Sequence, residues 1–526
     1  MTRYLIVLFA MAAVIAAPMI LRPAASVRTE DYAERDRLVV ITPHVETLRY
    51  ELERAFVAWM KEKHGRRVVI DWRVPGGTSD IIKVVNSEFT AAGELGKDRG
   101  IGLDIMTGGG PIDYAGLKKS GYIVATDKSG KYGPAAVKAA HPDWFTDTAI
   151  PAELSGQELY DPDLTWIGTC LSSFGICWNK ENLERRGMKA PQTWFDLADP
   201  SYENQLAISD PTKSGTVTAM FECMLQMCMD ASAELVLNKA LTAVPATDWR
   251  SDDGKPPQAA IDKLKMSGAA IGWRAGLRAF RRIGANTRYW TDSSTKVPLD
   301  VSEGEALAGM CVDFYGRNVI ERLAKVNGTS RLGFIAPPGG TTISPQPIAM
   351  FRGAQNPELA TRFMEFLLTP EGQLLWGLKA GSPGGPQKMA LRNMPIRRDY
   401  YTEANLAHAA DPELRPLEPG MAFHYEPKYT ADLFASIRFL IRAICIDPHQ
   451  ELKEAWHELI AHDFPKEATA LFDSLPDTVA YEAIRAKIAP VLKAKDPIAI
   501  SRLSHELSEH FRQNYLKARD LARAGL

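Results

Sequence analysis

Ser214, Gly215 and Thr216 stand where a loop gives way to a helical pattern, with Val217, Met220, Phe221, Met224, Leu225 and Cys228 falling on one side of it. The first turn of a helix offers unpaired N–H groups and the positive end of the helix dipole, and two hydroxyls add donors. Such a turn can hold an anion or a ligand carboxylate; it can equally be a capped helix start and nothing more. Gly76-Gly77-Thr78-Ser79 precedes a second helical run and repeats the design. Gly109, inside the Gly108–Gly110 triplet that follows an apolar run, would let backbone approach a ligand closely. Arg274, next to Trp273 after a short apolar stretch, has the fork geometry to clamp a phosphate, phosphonate or carboxylate. Trp166, Trp178 and Trp290 could wall an organic ligand, or be core aromatics.

These residues need a scaffold, and the sequence describes one. Leu38–Thr42, Val68–Trp72 and Leu103–Thr107 read as short buried strands, separated by helical patterns over Glu46–Lys63 and from Ile81 through Phe89. Strand alternating with helix indicates a parallel sheet covered by helices. The middle repeats this grammar. Trp166–Asn179 reads as extended chain, and Leu206–Ser209, Ala269–Trp273, Leu307–Val312, Leu332–Ala336 and Pro347–Phe351 read as strands. Asn356-Pro357-Glu358 and Thr369-Pro370-Glu371 each place a cap, a proline and an acid at a helix start. From about Pro395 strand-like runs vanish and helical patterns dominate. The Pro- and acid-rich stretch from His408 to Pro427 reads as a linker.

Composition bounds the function. The 526 residues carry 62 Lys plus Arg against 64 Asp plus Glu, which gives no reason to expect nucleic acid as a partner. Arg3, an uncharged run from Leu5 to Leu21, then Arg22 and the small residues to Ser26 read as an export signal or, uncleaved, a membrane anchor. The protein is therefore expected in the periplasm or outside the cell, free or tethered by that N-terminal helix. Six scattered cysteines form no CxxC pair, which argues against a zinc or iron–sulfur site. No G-x-S-x-G in a strand context, H-E-x-x-H or P-loop is present, so the chain does not read as an enzyme.

Taken in order, several segments resemble the extracellular solute-binding proteins of ABC transporters. They are His44 after the first strand, GGTSD before a helix, Leu103-Asp104-Ile105 before a glycine turn, Trp194–Leu197 before Ala207–Pro211, Ser214-Gly215-Thr216, Gly304-Glu305-Ala306 leading to Asp313-Phe314-Tyr315, and Asn356–Ala360 with Pro370–Gln373. The likeness covers about residues 36–400 and is greatest to the ferric-iron-binding branch of the type II periplasmic binding proteins. It implies an α/β, two-lobed type II periplasmic-binding-protein fold, here with an additional α-helical C-terminal extension. Lobe one would comprise 36–142 and 306–400, lobe two 143–305, and the extension 401–526, after a signal or anchor at 1–26.

The resemblance also implies a ligand between the lobes, a separate ABC permease in the membrane as partner, and a monomer. His44, Gly77, Thr78, Ser79, Gly109, Ser214, Gly215, Thr216, Arg274 and Tyr315 are the expected ligand contacts. Ferric relatives use a histidine after the first strand and two adjacent tyrosines, hard donors suited to Fe3+. His44 and Tyr315 match; Phe314 stands where the other tyrosine would be, with Asp80, Glu88, Tyr289 and Asp313 as substitute ligands. No cofactor is implied, and Fe3+ enters only as transported ligand. Two cargoes remain open, ferric iron and a small anionic compound. A sensing or scaffold role for the helical tail, or a secreted hydrolase, is the alternative reading.

Overall fold

Two sheets carry the fold. The computed structural model describes residues 36–95, 100–243, 256–418 and 423–526. The export-signal segment lies outside the described residues, and among those described no helix is long and apolar enough to cross a membrane.

The N-terminal strands form as the pattern requires. β1 (Arg37–Ile41) pairs in parallel with β2 (Val69–Arg73) and with β3 (Ile105–Thr107), and α1 (Glu46–His64) and α2 (Thr78–Leu95) make the crossovers. Leu48, Leu52, Phe56 and Met60 bury one face of α1. A short helix, α3 (Pro111–Lys119), follows the glycine turn, and β4 (Ile123–Val124) follows that. The first sheet is completed by β5 (Ile167–Ser172) and by strands from late in the chain.

The second sheet begins at once. β6 (Phe174–Asn179) starts one residue beyond the end of β5 but pairs elsewhere, with β9 (Ala308–Val312) and β10 (Leu332–Ile335). β7 (Leu206–Ser209) and β8 (Thr287–Thr291) fill its other side. Between β7 and β8 run two long helices, α4 (Gly215–Ala243) and α5 (Gln258–Asn286), and α6 (Asp313–Asn327) follows β9. The chain returns to the first sheet with β11 (Ser344–Phe351), then α7 (Pro357–Leu368), α8 (Pro370–Gly377) and β12 (Met394–Pro395). Thr369 caps α8, its hydroxyl accepting from Gly372 N at 3.1 Å.

Sheet membership corrects the expected lobe boundaries. Ile167–Ser172 stands in the first sheet and Trp144, Ile150, Leu159 and Tyr160 in its core, whereas β9 and β10 stand in the second sheet with α6 between them, so the second sheet draws on Phe174 to Ile335. One expected strand is also corrected. Ala269–Trp273 lies in the middle of α5. Its apolar run hides a helical spacing, Ala269, Trp273, Leu277, Phe280 and Ile283 all being buried. Gly268, Gly272 and Gly276, one turn apart, let α5 lie directly on the backbone of α4: a Cβ on Gly272 would stand 2.1 Å from the Cys228 carbonyl oxygen.

The helical extension is not an appendage. α9 (Phe434–Ile441), α10 (His449–Ala461), α11 (Lys466–Phe472) and α12 (Pro497–Arg523) pack on α4 and α5, and a single apolar core runs from Phe174 to Ala522. Four arginines within about two turns of α5 grip the chain where α11 ends. Arg274 donates to Leu475 O and Asp477, Arg278 to Asp473 O, Arg281 to Phe472 O and Ser474 O, and Arg282 to Asp473. Phe472 O is one of the carbonyls that a helix end leaves unpaired, and the others follow it in the next three residues. The expected linker is partly structural: Leu417 is buried in the core of lobe one, with Leu414 packed against it.

Candidate functional site

The two sheets and the extension enclose a cavity of about 1270 Å³. Turns at the ends of strands line it, because strand ends leave backbone groups and short side chains to face outward. From lobe one come His44, Gly77, Thr78, Gly109, Gly110 and Asp113; from lobe two, Ser214, Gly215, Thr216, Phe314 and Tyr315. The lobes meet here, a Cβ on Gly77 lying 3.5 Å from Lys213 O.

Ser214 caps α4, its hydroxyl accepting from Val217 N at 3.5 Å. Gly215 and Thr216, in the first turn, line the cavity with it. Gly109 needs its left-handed backbone, φ 89°, and a Cβ there would meet Thr78 Cγ2 at 2.8 Å. Gly108, φ 88°, sits behind it, and a Cβ would stand 2.7 Å from His44 Nε2.

His44 is 4% exposed. Its Nε2 lies 3.0 Å from Gln346 Oε1, and its Nδ1 has no partner. Burial lowers its pKa to about 4, against the raising effect of Gln346, so the ring is neutral at physiological pH and Nε2–H donates to the amide oxygen. Tyr315 lies against Phe314, ring centres 4.4 Å apart, and burial pushes its phenol up to about 12. Both proposed metal donors thus reach the same cavity, each in its neutral form. Among the described residues no three His, Cys, Asp or Glu are grouped to hold a metal.

Other expectations fall elsewhere. Arg274 faces the extension, as above, because α5 turns that side away from the cleft. Ser79 is in the right turn but does not line the cavity. Tyr289 donates to Asp300 at 3.0 Å, and Asp313 accepts from Ser173 at 3.0 Å, burial raising its carboxyl to about 6. Asp80 lines the cavity and pairs with Lys83. Of the three tryptophans only Trp166 lines it; Trp178 and Trp290 pack against the lobe-two core.

The sequence reading missed one wall. Tyr425, Pro427, Ala431 and Phe434, all in the extension, line the cavity. The chain crosses between lobes a third time here. Phe423 N donates to Thr341 O and Tyr425 N to Ser155 O, while Glu426 N donates to Gln226 Oε1 on α4. Glu222, also on α4 and lining the cavity, accepts from Tyr425 at 3.0 Å and Thr430 at 2.6 Å. Burial raises its carboxyl to about 7, against the lowering effect of those two hydrogen bonds. Asp113, partly buried and accepting from the Gly110 N–H, was signalled only by its place three residues after the glycine triplet. The six cysteines are free.

A family model described as bacterial extracellular solute-binding protein matches residues 103–396. The phosphoglycerate transport regulatory protein PgtC of Salmonella typhimurium is 21% identical over 311 residues, 56% of this chain and 66% of that protein, so the match spans just under two thirds of the relative. Among solved structures, the periplasmic binding protein AfuA from Actinobacillus pleuropneumoniae, with fructose-6-phosphate bound, has a TM-score of 0.46 at 17% identity, covering 81% of this chain and 98% of that one. Iron-bound HitA from Pseudomonas aeruginosa has a TM-score of 0.46 at 16% identity, covering 78% and 99%.

Proposed function

The chain belongs to the bacterial extracellular solute-binding proteins, and on that premise we propose that it captures a small organic anion for an ABC importer, handing it to a separate permease in the membrane. The observation that carries this reading is the cavity. About 1270 Å³ is far more than a bare ion needs, and it matches a molecule of many heavy atoms. The open α4 turn at Ser214–Thr216 supplies donors for a phosphate or carboxylate. Aromatic faces at Trp166, Phe314, Tyr315 and Phe434 supply a lining for the rest of the molecule. A ferric cage is the weaker fit: Phe314 offers no phenolate, Tyr315 resists ionisation, and His44 already holds Gln346. The named function of the curated relative, in phosphoglycerate transport regulation, supports an organic phosphate. That same name supports a second reading, in which the chain senses the anion and signals through the extension.

Thermal melting of the purified protein with 3-phosphoglycerate, citrate, inorganic phosphate and ferric chloride tests the proposal. An organic anion at 100 times its Kd should stabilise the fold by about 2.7 kcal/mol. If only ferric ion stabilises it, with a visible phenolate-to-iron band that Tyr315→Phe removes, the protein is an iron binder and the proposal fails.

A further inference from the structure

Arg438 differs from the arginines of α5. It sits on α9, with Phe434 one turn before it, and its guanidinium lies over the Phe434 ring at 5.4 Å. Nε donates to Thr218 at 3.3 Å, and among the described residues the two terminal nitrogens have neither a hydrogen-bond acceptor nor an ion-pair partner. Burial works against the charge, and the fields of Asp113 and Asp210 support it only in part. A half-buried guanidinium held by one neutral hydroxyl keeps its two terminal nitrogens accessible, to water or to an incoming anion. Its position indicates the partner: Nη2 stands 3.7 Å from where a Cβ on Gly215 would lie, beside the first turn of α4.

Asp113 approaches the same point from the opposite lobe. Its Oδ2 is also 3.7 Å from the Gly215 Cβ position, and it accepts from Gly110 N at 3.2 Å. The acid is partly buried, and desolvation raises its pKa against that hydrogen bond and the Arg438 charge. Gly215 therefore lies between a cation fixed to lobe two through the extension and a carboxyl fixed to lobe one.

We propose that Arg438 is the counter-charge for the ligand's anionic group, and that Asp113 is the resident acid that competes with the ligand for it. The extension is then a third component of the binding site, because it contributes the ring of Phe434 and the charge of Arg438 together. This rests on the reading of the ligand as an anion. Without an anion, Asp113 is the lobe-one acid whose charge acts on Arg438. Closure around an anion gives Arg438 a full partner and sets Asp113 against it.

Calorimetric titration of the full chain with 3-phosphoglycerate, inorganic phosphate and citrate tests this. The tightest of the three should bind at least tenfold more weakly to Arg438→Gln, with intermediate loss in Arg438→Lys. It should bind several-fold more tightly to Asp113→Asn, a gain that a damaged fold would not produce. Unchanged affinity in Arg438→Gln overturns the role of Arg438 and leaves the anion reading standing. Unchanged or weaker binding in Asp113→Asn overturns the competitor. If the unaltered protein binds none of the three anions, the anion reading falls and this inference falls with it.

Discussion

The Tyr425 hydroxyl donates to the Glu222 carboxylate at 3.0 Å, joining the segment that leaves lobe one to the helix whose first turn faces the cavity. Glu222 is 6% exposed, and burial raises its pKa from 4.5 to about 7. The folded chain keeps this proton through a range in which the unfolded chain has released it. Stability from this group therefore falls as pH rises from about 4.5 to 7, by roughly 3 kcal/mol. His44 acts in the opposite direction. Its folded pKa of about 4 lies below the ordinary 6.5, so stability rises with pH across that interval. The two slopes oppose each other in the unaltered chain. We predict that, measured against the unaltered chain, the stability of Glu222→Gln rises with pH from 4.5 to 7 and that of His44→Gln falls with pH from 4 to 6.5. Urea melts at half-unit pH steps measure both; parallel profiles in the two variants would disprove the pair of assignments.

The contact between α4 and α5 predicts a second effect. A methyl on Gly272 would lie 2.1 Å from Cys228 O and 2.5 Å from Met229 Cα, backbone atoms that no rotamer change can move. Gly272→Ala should force the helices apart and cost about 1–3 kcal/mol. Gly93 has open space around it, so Gly93→Ala on the exposed side of α2 serves as the control and should be neutral or slightly stabilising. Equal melting temperatures for the two variants would contradict the close approach.

Arg281 predicts a third. It is wholly buried, donates to Phe472 O and Ser474 O, and lies within 6 Å of the rings of Phe472, Phe511 and Tyr515. Arg281→Ala removes the donors from two buried carbonyls and leaves a void among three rings, a loss of about 3–5 kcal/mol. The prediction is a lower melting temperature with one transition, because lobe two and the extension share a core. A separate low-temperature transition confined to the extension would show that they fold independently.

Gly108 predicts a fourth, at the site itself. At φ 88°, with His44 Nε2 2.7 Å from a would-be Cβ, Gly108→Ala must displace the ring from Gln346 or distort the turn. Ligand affinity should drop at least tenfold with only a modest change in melting temperature. Retained affinity would mean that the His44–Gln346 contact does not shape the cavity.

Much of this was legible in the sequence because it rests on local patterns. The spacing of Leu48, Leu52 and Phe56 gave α1 to within a residue, and the Ser214–Thr216 and Gly76–Thr78 turns stand at helix starts and line one cavity. The errors arose where one local pattern admits two structures. Ala269–Trp273 is short and apolar in either a strand or a buried helix, and only the glycines at 268, 272 and 276 hinted at tight helix packing. The lobe boundary was misplaced because β5 and β6 are separated by Ser173 alone yet enter different sheets. The wall made by the extension was invisible: Tyr425 and Glu222 are 203 residues apart, and no periodicity encodes a contact at that distance.

The core that joins Phe174 to Ala522 also fixes an order of assembly. A chain made or threaded from its N-terminus presents β6, α4 and α5 long before the helices that cover them. Lobe one waits as well, since β11 and β12 lie between residues 344 and 395. Neither half can complete its core until most of the polypeptide has been made.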